Sequence, residues 1–541
     1  MDDTRVPVLI AGGGLTGLSA AVFLAWHGVP AMLVERHPDT VGLPKVRTIH
    51  PRTVELYRAV GIEDRIRATR SPLAGHDLVV HAESLAGEEL KRLPPVAGED
   101  LSGFGPCAFA PIDQDQLERI LRARAGEVGT DLRFHTELMG LGEHHEGVTA
   151  VLRDHDTGHE YRVFAEYMIA ADGAKSPVRT MLGIGQHGRG TLARLVNVYF
   201  NADLTEPLRG RKIMVATVCN PVVRGSVVSM DADRLWRLAI GMPPDWSGDL
   251  SGFTEERCTE LVRAAVGVPD LALEIDQVAT APWEISGQVA DRWRSGRVVI
   301  AGDAAHTMPP IAAFGASTGV QDVYNLAWKL ALVWRRVASH ELLDSYESER
   351  LPVAEETVRQ VLVRYAASHG KSTGEHVDPL GVMVYGYTYP SGAFISEPGG
   401  NPVALEDPGN PSARPGTRAP HLVVERSGER ISIVDLFGRS FVVLAGEAVV
   451  GRERVASYVS ARTGVEVDWY RVAEDGDIRA ADVRFTDRYG IGPDGIVLVR
   501  PDGFVAWRAV SVAGLENLEV RLLDVVNLLL CAQARTSVAV P

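Results

Sequence analysis

The run Gly12-Gly13-Gly14-Leu15-Thr16-Gly17 has the spacing G-x-G-x-x-G, and Glu35 follows 18 residues after Gly17. That combination suits a dinucleotide. One glycine permits a tight turn, the next lets a pyrophosphate approach a helix amino end, and the last allows close helix–sheet packing. An acid at the end of the following strand can bind a ribose hydroxyl. A glycine turn without a ligand can share the spacing by coincidence. A second acid, Asp303, stands after the apolar run 298–300, ahead of Pro309-Pro310 and the small-residue stretch 312–319. A backbone this bare lets a large planar ligand come close, and the acid can bind its hydroxyls. A plain surface turn has the same composition.

The elements that must position these residues are legible in the pattern. Residues 6–11 read as a buried strand, 15 to about 26 as an apolar helix stopped near Gly28, and 31–34 as a second strand. Residues 298–300, between Gly296 and Gly302, read as another buried strand, 315–319 as loop, and a helix then carries Asn325 to Lys329. Helices are expected at 53–60, with Gly61 past the end, from Gln114 onward, and at 342–367. From 182 to about 285 the pattern changes to short alternating strands at 195–200, 226–230 and 235–240. Tyr199, Phe200, Met214, Met230, Trp236, Met242, Trp246 and Trp283 are candidates to line an apolar pocket there, with most of them expected to be ordinary core. Pro and Gly concentrate from 369 to about 419, as in a linker. Strands are expected at 432–436, 441–444, 465–470 and 496–499, and a helix at 515–532.

A chain of 541 residues with 45% hydrophobic and 23% charged content is an ordinary globular protein of two or three domains. A net charge of −15 argues against nucleic acid or an anionic membrane surface as partner. No apolar run approaches the roughly 20 residues of a membrane span. The acidic start leads straight into a strand, so no signal peptide is expected. Cys107, Cys219, Cys258 and Cys531 lie far apart and form neither a disulfide framework nor a metal spacing, which fits a reducing cytoplasm.

Gly302-Asp303-Ala304-Ala305-His306, the two prolines, the small-residue stretch and Asp322 to Lys329 resemble the second FAD fingerprint of single-component flavoprotein aromatic hydroxylases, the para-hydroxybenzoate and phenol hydroxylase group. Asp172-Gly173 with Ser176 and Arg179 resembles that family's middle fingerprint, and Gln114-Asp115-Gln116-Leu117-Glu118 its Gln-x-x-Leu-Glu run. The carboxyl-terminal third resembles the family's thioredoxin-like domain, closest in look to aromatic polyketide hydroxylases. Two departures stand out: Ile311-Ala312-Ala313 where many members carry Thr-Gly-Gly, and Ala316-Ser317 in place of Met-Asn.

The resemblance implies an α/β fold: a Rossmann-like FAD-binding domain (1–180 and 285–395), an inserted substrate-binding β-sheet domain (181–284 with part of 73–110), a linker (396–418) and a thioredoxin-like domain (419–541). Lacking a Cys-x-x-Cys, the last is expected to serve packing or a homodimer contact. Noncovalent FAD would be held by Gly12, Gly14, Leu15, Thr16, Gly17, Glu35, Arg36, Lys45, Arg47, Gln114, Asp172, Asp303, Pro310, Gly315, Ala316 and Ser317, with Arg47 positioning the flavin. Tyr199, Met230, Trp236 and Trp283 would meet substrate, no metal is implied, and His306 is expected to be structural. In the implied reaction NADPH or NADH reduces the flavin, dioxygen adds at C4a, and the terminal oxygen passes to an aromatic, polyketide-type ring. No catalytic base is identifiable. Baeyer–Villiger insertion, antibiotic inactivation, an oxidase or reductase without oxygen transfer, and a flavin binder without catalysis remain alternatives.

Overall fold

A computed structural model describes residues 4–42, 46–93, 99–243, 245–278, 282–398, 404–514 and 517–531. Its first sheet runs in the order Arg294–Ser295, Val298–Ile300, Glu160–Ala170, Thr4–Ala11, Ala31–Glu35, Asp131–Phe134. Neighbours from Val298–Ile300 to Asp131–Phe134 are parallel. Leu9, Ile10, Met32, Leu33, Met168, Ile169 and Val298 to Ile300 are buried, so successive residues on both faces of the central strands lie in the core. The register pairs Ala11 with Val34 and Ala170, and Ala170 with Ile300. The segments that follow these strands (Gly12, Glu35, Asp172 and Asp303) therefore emerge along one edge, where open α/β sheets bind ligands.

Two helices bring that edge together. Leu15–Trp26 follows the first strand, and Phe314–Trp334 packs beside it. The contact needs small residues: a Cβ on Gly319 would lie 2.7 Å from Thr16 Oγ1, and one on Gly302 2.5 Å from it.

The second sheet runs His306–Thr307, Trp283–Ala290, Gln186–Ala202, Leu235–Gly241, Arg224–Ser229, Ile213–Cys219, Leu78–Ala82, Glu89–Leu93, with Leu273–Val278 also on Gln186–Ala202. Helix Glu255–Val266 closes one face, packing Cys258, Leu261 and Val262 against Val198, Phe200 and Leu238. In the carboxyl-terminal third the order is Val467–Arg471, Phe441–Ala445, Ile496–Val499, Val505–Ala509. The first pair is parallel and the others antiparallel.

Two expectations are corrected. Phe314–Trp334 begins inside the stretch expected to be loop, so Gly315 to Gly319 are its first turns. Residues 432–436 are the end of strand Glu429–Ser432 and a 3-10 turn, because the Ser432 side chain caps the turn. Among the described residues no helix is long and apolar enough to cross a membrane.

Candidate active site

Gly12 has φ +109°, and a Cβ there would lie 2.2 Å from the Ala171 carbonyl oxygen. One on Gly17 would lie 1.9 Å from the Gly12 carbonyl. Both positions admit only glycine, the first for backbone conformation and the second for contact. Gly14 differs: a Cβ there meets nothing nearer than Glu118 Oε1 at 3.8 Å. Gly14 is also the N-cap of Leu15–Trp26 and supplies no side-chain cap, so the helix opens its free N–H groups toward this space. That is the setting for an anion.

Glu35 Oε2 accepts from Gly13 N at 2.6 Å, and Oε1 from His37 N at 3.0 Å. The carboxylate thus holds the glycine turn while standing at the edge of the site. Arg36 beside it is exposed. Gln114 Nε2 donates to Glu118 Oε1 at 2.8 Å, which brings the glutamine to the Gly14 side. Leu15 is buried in the core and Thr16 sits in the helix–helix contact. Asp172 accepts from Ser176 Oγ at 2.6 Å and Val178 N at 3.0 Å, capping the short helix Pro177–Met181. Asp303 is exposed on the 3-10 turn Gly302–Ala304.

Beyond it, Pro310 is exposed, Gly315 and Ala316 are half-buried, and Ser317 is buried. Ala312 (φ +52°) and Ala313 (φ +57°) are both left-handed, at the positions where the resemblance expects glycines. The backbone shape survives without them, at a cost of roughly 1 to 2 kcal/mol per residue. Ala313 is the N-cap of Phe314–Trp334 and gives no side-chain cap, so a second helix amino end faces the same edge.

Arg47 is held by protein groups. Its Nη1 donates to Asp113 Oδ2 at 2.5 Å and to the Met230 carbonyl at 3.1 Å, and its Nη2 to the Ser229 carbonyl at 2.9 Å. It ties the segment after the second strand to the second sheet. Lys45 lies outside the described residues. His306 is fully buried, stacks on Trp293 and sits 2.8 Å from Asp322 Oδ2, while Asp322 Oδ1 accepts from Arg350 Nε at 3.0 Å.

A family model for the FAD binding domain matches residues 5–361, and one for the aromatic-ring hydroxylase C-terminal region matches residues 412–526. The chain belongs to the FAD-dependent aromatic-ring hydroxylases. It is 41% identical to a 4-methyl-5-nitrocatechol 5-monooxygenase of a Burkholderia species, covering 98% of each chain. It is 38% identical to aklavinone 12-hydroxylase of Streptomyces purpurascens, over 97% of this chain and 100% of that one. The solved ternary complex of aklavinone-11 hydroxylase with FAD and aklavinone superposes with a TM-score of 0.89, at 37% identity and 98% and 100% coverage.

The residues of this hydroxylase fit FAD. The open amino end at Gly14 suits the pyrophosphate and Glu35 a ribose, while Asp303 and the uncapped Ala313 end suit the hydroxyls and pyrimidine edge of the flavin half. On the second sheet, alternation decides which side chains look toward this edge. Tyr199 pairs with Arg237, and Asn197 with Ala239, on the face opposite the helix-covered core. Arg237 lies 5.8 Å from the Trp283 ring. Among the described residues Arg237 Nε and Asn197 Oδ1 are buried without a hydrogen-bond partner. Burial, the leading cause, pulls the Arg237 pKa down with the charge of Arg47, against the opposing effect of Tyr199, which is its hydrogen-bond partner. Trp236 is a correction: it points to the other face and packs in the core with Phe200, because the strand period of two separates it from Arg237. Met230 is buried beside Arg47, its Sδ 3.4 Å from Nη2. Arg237 and Asn197, being polar, lie outside the apolar pocket candidates of the sequence. In the sequence Asn197 alternates with Val196 and Val198, and Arg237 with Trp236 and Leu238.

Proposed function

We propose that this FAD monooxygenase uses NAD(P)H and dioxygen to hydroxylate an acidic, polycyclic phenol of the polyketide type. The observation that carries the reading is the half-buried Arg237, with an unpartnered Nε, beside Asn197, Tyr199 and Trp283. A buried cation lacking a full set of acceptors asks for an anionic oxygen. Arg237 would donate to a phenolate, keep that oxygen deprotonated without a separate base, and so enrich the ring in electrons. Asn197 and Tyr199 would fix its orientation, and the sheet face with the Ala313 helix end would exclude water. Bound FAD supplies the activated oxygen. The aklavinone hydroxylase relatives favour a polycyclic ring system. A second reading, a nitro-substituted catechol, rests on the 41% identical relative, and it too is an acidic phenol.

The remaining assignments extend this proposal. The residues named above hold FAD, and the second sheet with Leu78–Ala82 and Glu89–Leu93 is the substrate-binding domain. The carboxyl-terminal strand order supports a thioredoxin-like domain, used for packing or a homodimer contact. The four free cysteines fit a reducing cytoplasm. The test is NAD(P)H oxidation with a polycyclic phenol or 4-methyl-5-nitrocatechol, with products read by mass. A product heavier by one oxygen, with that oxygen placed by NMR as a new ring hydroxyl, supports the proposal. Hydrogen peroxide with unchanged phenol favours the oxidase reading, and a ring-expanded product favours Baeyer–Villiger chemistry.

A further inference from the structure

His50 stands between the second strand's continuation and the start of Phe314–Trp334. It is the N-cap residue of helix Pro51–Ala59, which fixes its backbone, and it is 1% exposed. Its ring is wedged edge-on between Phe314 at 4.8 Å and Phe109 at 5.8 Å. Nε2 lies 2.5 Å from the Ala312 carbonyl oxygen, and the backbone N–H donates to Ser317 Oγ at 3.4 Å. A carbonyl only accepts, so Nε2 carries a hydrogen. Both bonds land on the segment that holds the left-handed alanines Ala312 and Ala313.

We infer that His50 is a positioning residue that holds the Ala312–Ala313 turn in the shape that receives the flavin, through the hydrogen bond from Nε2 to the Ala312 carbonyl. Two side-chain-bearing residues resist this conformation, whereas glycines would enter it freely. The bond offsets that resistance. The two phenylalanine rings hold the imidazole in place, and burial, the leading cause, keeps its pKa near 4, so the ring stays neutral at working pH. The inference rests on the FAD-site reading above.

The test uses His50→Leu, which keeps the volume but removes the donor, and His50→Gln, whose amide places a donor near the Nε2 position. Each is made in the full-length chain, alone and with Ala312→Gly/Ala313→Gly. FAD affinity is read by quenching of flavin fluorescence, the flavin environment by the visible absorption band, and the turn itself by Tm of the apoprotein. His50→Leu is expected to weaken FAD about tenfold, shift the band and lower the apoprotein Tm. His50→Gln should stay within about threefold of wild type. The glycine pair should restore FAD affinity and Tm to His50→Leu. Unchanged FAD affinity in His50→Leu, or a loss that the glycines leave in place, overturns the inference. If His50→Leu does not fold alone, its recovery by the glycine pair supports the clamp and persistent misfolding refutes it. A wild-type protein that binds no FAD would instead defeat the site reading, and the apoprotein Tm comparison would still judge the clamp.

Discussion

Lys329 Nζ lies 2.7 Å from Glu349 Oε2, with neither side chain exposed. Arg500, from the carboxyl-terminal third, donates to both oxygens of the same carboxylate at 2.6 and 2.9 Å, and Asn325 Nδ2 donates at 2.7 Å. Burial alone would raise the Glu349 pKa, but Arg500 and then Lys329 outweigh it and hold the carboxyl near 2. Burial pulls Lys329 down to about 8. The two shifts pull opposite ways on the pair's charged form. The Glu349 direction is the firmer, since several donors converge on that carboxylate. Its folded pKa is below the ordinary 4.5, so its stabilisation is full above that pH and lost as pH falls from 4.5 toward 2. Glu349→Gln should cost about 3 to 5 kcal/mol at neutral pH, as for a broken buried pair. It should also flatten the dependence of Tm on pH in that window. Thermal melts across the acid range give both readouts, and a wild-type-like slope in the variant would reject the assignment.

Gly14→Trp should fold, because the Gly14 Cβ direction is open, yet purify colourless, because the indole fills the approach to the helix end. A variant with full flavin absorbance would remove Gly14 from the cofactor site.

For Asp303→Ala, a lost charge-assisted hydrogen bond predicts FAD binding weaker by about 1 to 3 kcal/mol. Titration of apoprotein with FAD measures it, and an unchanged Kd would place Asp303 outside the site.

Arg237→Met should raise KM for an acidic phenol by about ten- to a hundredfold, the equivalent of roughly 1.5 to 3 kcal/mol for a hydrogen bond to a charged group. FAD affinity should not change. The discriminating partner is the O-methylated analogue of the same phenol, whose binding should be indifferent to the substitution. Equal losses for both would mean the arginine only supports the sheet.

Arg47 spans from Asp113 to the Ser229 and Met230 carbonyls, so the FAD-binding side and the second sheet are joined at one guanidinium. Substrate settling on that sheet face should be felt at the flavin. Flavin reduction by NAD(P)H is expected to accelerate at least about tenfold with a bound phenol, and Arg47→Met should shrink that ratio. Stopped-flow loss of the oxidised flavin band measures both; equal rates with and without phenol would end the coupling.

What could be read from sequence followed distance along the chain. The glycine turn, Glu35 and strand Val298–Ile300 were legible because each is a local pattern with a local cause. The start of Phe314–Trp334 was not. Its Gly, Ala and Ser content resembles a loop, whereas small size there serves a contact with Thr16 made across some 300 residues. Alternation marked residues 235–240 as a strand but did not say which face met the site, so Trp236 stood among the pocket candidates although it packs with Phe200. Arg500 and Glu349 are separated by 151 positions, and nothing near either one announces the other.

The Glu349 cluster also governs how this chain can be recombined with its relatives. A crossover between residues 349 and 500 joins a carboxylate from one parent to a guanidinium from another. Exchanging the carboxyl-terminal third alone keeps the junction only if the donor sequence brings arginine and aspartate at positions 500 and 502 and accepts the recipient's glutamate and lysine. Chimeras that change the catalytic half's substrate range therefore need these four side chains moved as one heritable set.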